Sequence, residues 1–201
     1  MKDSYHHGDL KSTLIDAGVK LLSESGMEGL SLRKLAREVG VSHNAPYMHF
    51  ADKEAVLAAI AEQGFLLLGE AIDAGQLQLS DQSIEARLPA AAQSYVNFAL
   101  NHPNHLMVMF GKLDSAAYPD LIETAHATFK KLVTIMQVGH QSGTLVDQPA
   151  EQLAMLFWTN VHGLSALLIA QKIPEYARQK LTNEAITTWS IQMLLTGIIR
   201  N

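Results

Sequence analysis

SLRKLAREVGVSHNAPYMHF, residues 31–50, carries two short helical signals separated by a tight turn. Ser31 is a good N-cap, and Leu32, Leu35, Ala36 and Val39 follow at the spacing of one buried helical face. Leu30 before the cap and Leu35 inside the helix are placed for a hydrophobic staple. Gly40 ends the helix by permitting a positive φ, and Val41 plugs the angle that follows. Ser42 then caps a second, very short helix that runs to about His49. The small Ala36 stands where the two helices must approach closely. Two capped helices joined by a turn containing glycine describe a helix-turn-helix. Such a unit projects the N-terminal residues of its second helix toward a major groove, where helix dipole and amides favour phosphate.

Outward from this unit, punctuation cuts the chain into helices, with no strand pattern and no internal repeat. A helix from about Asp9, read as its N-cap, to Gly26 puts Leu10, Leu14, Ala17, Leu21 and Leu22 on one face. After the central unit, Asp52 caps a helix carrying Val56, Leu57, Ile60 and Phe65 into the 70s, and the polar run from Gln76 to Ser83 reads as a linker. Further helices are expected over Ile84–Leu100, from Pro103, over Tyr118–Ser142 before Gly143, from Pro149 to before Pro174, and over Asn183–Ile199. The fold class is all-α, about nine helices: an N-terminal three-helix helix-turn-helix domain plus a larger C-terminal helical bundle. The expected division is 1–52 for the helix-turn-helix domain, 53–75 for a connecting helix, and 76–201 for the larger helical bundle.

Composition narrows the function classes. Apolar residues make up 48% and charged ones 17%, so the chain can build a core and is not a disordered segment. Cysteine is absent, which excludes disulfides and thiolate chemistry and fits a cytoplasmic protein. Met1 to Leu10 show neither a secretory signal nor a transit peptide. Leu153–Ala170 is uncharged and nearly long enough to span a bilayer, but Thr159, Asn160, His162 and Ser165 interrupt it and no basic cluster flanks it. A helix buried in a bundle reads the same way, and no membrane partner is expected. The net charge of −5 gives no bulk support for a nucleic-acid partner; residues 1–50 are neutral and the deficit lies beyond them. Any such partner must be argued from local arrangement.

Residues 9–64 resemble the DNA-binding domain of the TetR family of bacterial regulators. The resemblance is carried by the run from Ser31 to Lys53, with Tyr47, His49 and Phe50 followed by Asp52-Lys53. It implies a fourth connecting helix and a C-terminal helical domain holding a ligand pocket and a dimer interface. It further implies that Tyr47 and His49 touch the DNA backbone, Tyr47 sometimes reaching a base, that Lys53 grips phosphate, and that Arg33 can reach a guanine edge. His43 and Asn44 lie where side chains face bases, and Asn can pair with adenine N6 and N7. Ser42 and Lys34 complete the expected DNA-binding set. One position departs from the family: Pro46 stands where an aliphatic residue is usual, and so removes a backbone bond and disfavours helix at Ala45, which leaves a recognition helix that either starts late or kinks. Residues 42–50 also contain no Lys or Arg, so grip must come from Arg33, Lys34, Lys53 and Lys11.

The C-terminal half resembles a branch of the same family with a Trp-x-x-x-His-Gly element, here Trp158 to Gly163, and with the stretch His102 to Gly111. Met107, Met109, Phe110, Phe129, Met136, Phe157 and Trp158 offer adaptable thioether and aromatic surface, with His162 as a polar handle. The expected ligand-binding set is Met107, Phe110, Phe129, Met136, Trp158 and His162, and the alternative for each is plain core packing. No metal site is expected: His102 and His105 are three apart, but His126, His140 and His162 lie on other helices. No catalytic motif stands out, so an enzyme is not expected, nor a cofactor. The expected partners are double-stranded operator DNA, a small apolar or amphipathic effector, and a second copy of the chain. The rival readings are a constitutive DNA-binding protein without an effector, and a helical ligand-binding protein with a vestigial DNA-binding module.

Overall fold

The computed structural model describes residues 7–200, with the backbone alone at residues 7–9 and at Ser115. Among them are nine α-helices and two 3-10 turns, joined by a single isolated bridge between Leu145 and Ile199. The helices are α1 (His7–Gly29), α2 (Leu32–Val39), α3 (Lys53–Leu77), α4 (Ile84–Asn101) and α5 (Pro103–Met109). They continue with α6 (Pro119–Gln141), α7 (Ala150–Ile169), α8 (Glu175–Arg178) and α9 (Asn183–Ile198). The reading of residues 1–6 and the capping role of the Asp9 side chain lie outside the described residues. The backbone is already helical at His7, so α1 begins before the expected cap. At its other end Gly26 breaks the helix with φ 65°, as a glycine can at little cost.

Two compact units emerge. The first takes residues up to Gly64 together with Asn104–Glu123; the second takes Phe65–Pro103 and Thr124 onward. In the first, Leu14, Leu21 and Leu22 of α1, Leu32, Leu35 and Ala36 of α2, and Val56, Leu57 and Ile60 of α3 are buried. In the second, α4 packs against α7 and α9, which also pack on each other. Its core is built from Leu88, Tyr95 and Phe98 of α4, Met136 of α6, Phe157 and Val161 of α7, and Ile191 and Leu195 of α9. The end of α9 is tied to the α6–α7 link by Val146 N–H to Ile198 O and Arg200 N–H to Thr144 O, both 2.8 Å.

Two helices, α3 and α7, are long and apolar enough to cross a membrane by length and composition. The sequence reading singled out only the second. On α7 a full stripe stays uncovered: Met155, Leu156 and Leu167 are exposed, while Leu153, Phe157, Val161 and Leu168 are buried. On α9 the exposed face carries Trp189 and Met193. The single-turn helix α8, after Pro174, was not expected from sequence.

Candidate functional site

The helix-turn-helix is fixed by its caps. The Ser31 hydroxyl accepts from Lys34 N–H at 3.3 Å, and Gly40 closes α2 in the left-handed region at φ 76°. Val41 N–H returns to Ala36 O at 2.9 Å, which turns the chain under the helix just left. Since Leu32, Leu35 and Ala36 face inward, Arg33, Lys34 and Arg37 face solvent. Val39, expected in the buried face, is half-buried at the end of that stripe. Lys20 of α1 bonds Glu38 at 2.5 Å, and this carboxylate holds the ammonium pKa above its ordinary value.

The second helical element corrects the sequence expectation of a short α-helix over residues 42–49. It is a turn followed by a 3-10 turn at Pro46–Met48, and Ser42 serves it through its carbonyl, which accepts from Ala45 N–H at 3.0 Å. The next bonds, Tyr47 N–H to Asn44 O, Met48 N–H to Ala45 O and His49 N–H to Pro46 O, all keep the tighter i to i+3 spacing. Pro46 has no N–H to extend an i to i−4 ladder, so the geometry tightens instead. Ala45 nevertheless stays in the right-handed helical region (φ −58°, ψ −44°), against the usual effect of a following proline. Burial decides this: Pro46 and Phe50 (3% exposed) are inserted in the core of the first unit. Ser42, His43, Asn44, Tyr47 and Met48 are thereby exposed, and His49 is half-buried. Asp52 Oδ1 accepts from Ala55 N–H at 2.9 Å and starts α3 at the half-buried Lys53. The eight residues expected to bind DNA thus lie along one stretch, six of them exposed and His49 and Lys53 half-buried.

In the second unit a different cluster forms. The Trp158 indole N–H donates to Tyr95 Oη at 3.3 Å, and Tyr95 Oη lies 2.9 Å from His162 Nδ1. Phe129 meets the Trp158 ring edge-on at 6.0 Å. Burial raises the Tyr95 pKa far above the ordinary phenol range, so its proton stays on and is donated to His162 Nδ1. Burial also lowers the His162 pKa, which favours the neutral ring that can accept this bond. Of the expected ligand-binding residues, Phe129, Trp158 and His162 are therefore brought together. Met136 is fully buried, while Met107 and Phe110 belong to the first unit. Gly163 is exposed, and a Cβ there would meet nothing within 4 Å, so it does not wall a cavity. A separate cavity of about 540 Å³ lies among Leu100, Pro103, Leu168, Ile173, Arg178 and Asn183. Among the described residues, no three His, Asp or Glu side chains are grouped to hold a metal ion.

Residues 14–60 match the profile of bacterial regulatory proteins of the tetR family, and residues 88–191 match the tetracyclin repressor-like C-terminal domain. The chain belongs to the TetR family. A solved structure, of a protein with unknown function from Rhodococcus sp. RHA1, superposes with a TM-score of 0.86 at 32% identity, over 99% of this chain and all of the other. The class D tetracycline repressor protein of Escherichia coli is 30% identical over 92 residues, 46% of this chain. The chain thus spans about a third (35%) of the length of that repressor. The HTH-type transcriptional regulator YobS of Bacillus subtilis is 21% identical over 96% of this chain and 95% of its own.

Within the TetR frame two residues escaped the sequence reading. Tyr95 is the centre of the polar cluster, and its signal was a lone tyrosine in the alanine-rich run of α4. Met48 lies on the exposed turn between Tyr47 and His49, with 83% of its surface in solvent; a large apolar residue between two polar ones was the signal there.

Proposed function

We propose that this TetR-family chain is a cytoplasmic, homodimeric transcriptional repressor that is released from a palindromic operator by a small apolar or amphipathic effector. The observation that carries the reading is the segregation along residues 31–53. Leu32, Leu35, Ala36, Pro46 and Phe50 form the core while Arg33, Lys34, Ser42, His43, Asn44 and Tyr47 face out. Phosphate contacts would fall to Lys53 and His49, and base contacts to Arg33 and Asn44. Functionally, residues 1–52 would bind DNA, 53–75 connect, and 76–201 bind effector and dimerise.

The dimer would form through α7 and α9. Met155, Leu156 and Leu167 of α7 and Trp189 and Met193 of α9 leave large apolar side chains exposed that a second copy would cover, and the exposed Gly163 and Gly197 would let a partner helix approach. The effector would meet the Tyr95–Trp158–His162 cluster, where a neutral imidazole and an aromatic wall suit an uncharged or weakly polar molecule. It can release DNA only by binding one arrangement better than another, and a coupling of about 1–3 kcal/mol lowers operator affinity about 5- to 150-fold.

The test is selection of binding sites from a random duplex pool with the full-length protein, followed by affinity measured against salt. A palindromic consensus with steeply salt-dependent binding is expected. Recovery of no consensus, or of an asymmetric single half-site, would refute the dimeric regulator.

A further inference from the structure

We propose that Met48 is a specificity-determining residue that reads the C5-methyl group of a thymine. This rests on the DNA-binding reading above. The 3-10 turn at Pro46–Met48 advances a third of a revolution per residue, so Pro46, Tyr47 and Met48 point three different ways. Pro46 points into the core, which throws Tyr47 (55% exposed) and Met48 (83% exposed) outward beside the exposed Asn44 and His43. Met48 is therefore exposed on the same stretch as the residues assigned to DNA, and is not packed in the core.

Its chemistry narrows the partner. A thioether donates no hydrogen bond and is a weak acceptor, so it gains little from a phosphate or from the polar edge of a base. In the major groove the apolar feature on a base edge is the thymine methyl. Residues 42–50 contain no Lys or Arg, so the charge-assisted guanine contact common in such elements is not available from the turn itself. Reading at its tip must use Ser, His, Asn and Tyr polar groups and one apolar side chain. Met48 supplies the last, and burial of its methyl end against a base methyl is a contact that cytosine, adenine and guanine do not offer.

The experiment takes the duplex recovered by selection and replaces thymines by deoxyuridine, one symmetric pair at a time. Uracil keeps every hydrogen-bonding group and lacks only the methyl. Removal of one buried methyl group corresponds to about fourfold in affinity, from roughly 0.8 kcal/mol per group. At one symmetric pair, wild type should lose about 15-fold, two such factors multiplied. Met48→Ala, at an exposed position, should bind the thymine and uracil duplexes equally well, and Met48→Leu should restore the penalty. A uracil penalty of the same size in Met48→Ala, or no uracil-sensitive thymine in the operator, would overturn the assignment while leaving the regulator reading intact. Failure to select any operator would overturn both, and is distinct from either result.

Discussion

Replacement of Tyr95 by Phe removes one oxygen from a fully buried position and tests the polar cluster directly. Two bonds end on that oxygen, one from Trp158 Nε1 at 3.3 Å and one to His162 Nδ1 at 2.9 Å. A net hydrogen bond contributes about 0.5–1.5 kcal/mol; the short one belongs near the top of that range and the long one near the bottom. Trp158 and His162 are only half-buried, so the penalty for leaving each without this partner stays near its lower limit. Relief from burying a hydroxyl offsets part of it. The balance is a loss of about 2 kcal/mol, or a Tm about 4–8 °C lower for a chain of this length. Urea unfolding at fixed protein concentration, monitored by fluorescence in a Trp189→Phe background, isolates Trp158 as the reporter. A double-mutant cycle with His162→Ala should return a coupling of about 1 kcal/mol. A change below about 0.5 kcal/mol, or a coupling near zero, would mean that the three side chains are neighbours without being energetically linked.

Three further outcomes are expected of this protein. Burial depresses the His162 pKa below its ordinary 6.5, so the unfolded chain takes up that proton first on acidification. Its contribution is therefore fully present above pH 6.5 and lost as pH falls through the lower folded value. The urea midpoint should decline in that direction, and a His162→Gln variant that declined equally would place the effect elsewhere. Gly40→Ala should cost about 1–2 kcal/mol, because φ is 76° and a Cβ there meets nothing within 4 Å, so the penalty is backbone alone; Gly40→Asn should cost less, and equal losses would contradict that cause. Met193→Lys, at a half-exposed position, should leave helicity unchanged and give a monomer by analytical ultracentrifugation at micromolar protein, as should Gly163→Leu. Intact dimers in both would move the interface away from α7 and α9.

The sequence made most helix ends legible because their causes are local. Gly26, Gly40 and Gly143 take positive φ where helices stop, and Pro103 and Pro149 stand at helix starts. Capping at Ser31 and Asp52 is equally local, each side chain accepting from an N–H three residues on. What depended on distant partners stayed hidden. Tyr95 joins residues 63 and 67 positions away, and no periodicity on α4 announces them. The apolar residues of α7 run nearly all round the helix, so only packing against α4 and α9 reveals that Phe157 is inside and Leu156 outside. The grouping of Met107 and Phe110 with the first unit and of Phe129 with the second is likewise a product of tertiary structure.

Pro46 shows how the local and the distant causes combine. Taken alone, it weakens a helix; seated beside Phe50 in the core, it becomes the anchor of the turn that replaces that helix. The price is a reading element with neither a regular helix dipole nor a cation. On the proposed reading, grip and selectivity then reside in different side chains. Lys34 and Lys53 flank the turn and release counterions when they meet phosphate, so they set the salt slope, at roughly one unit per phosphate contact, while Arg33 is kept for a base edge. Asn44, Tyr47 and Met48 on the turn itself carry no charge and contribute almost nothing to that slope, yet their contacts to base edges distinguish one sequence from another. Neutralising Lys34 or Lys53 should therefore flatten the salt dependence without altering the selected consensus, whereas truncating a residue of the turn should alter the consensus and leave the slope where it was. A fold that held a regular, cation-bearing recognition helix would mix the two effects in single residues, and the separation of the two is what the 3-10 turn imposes.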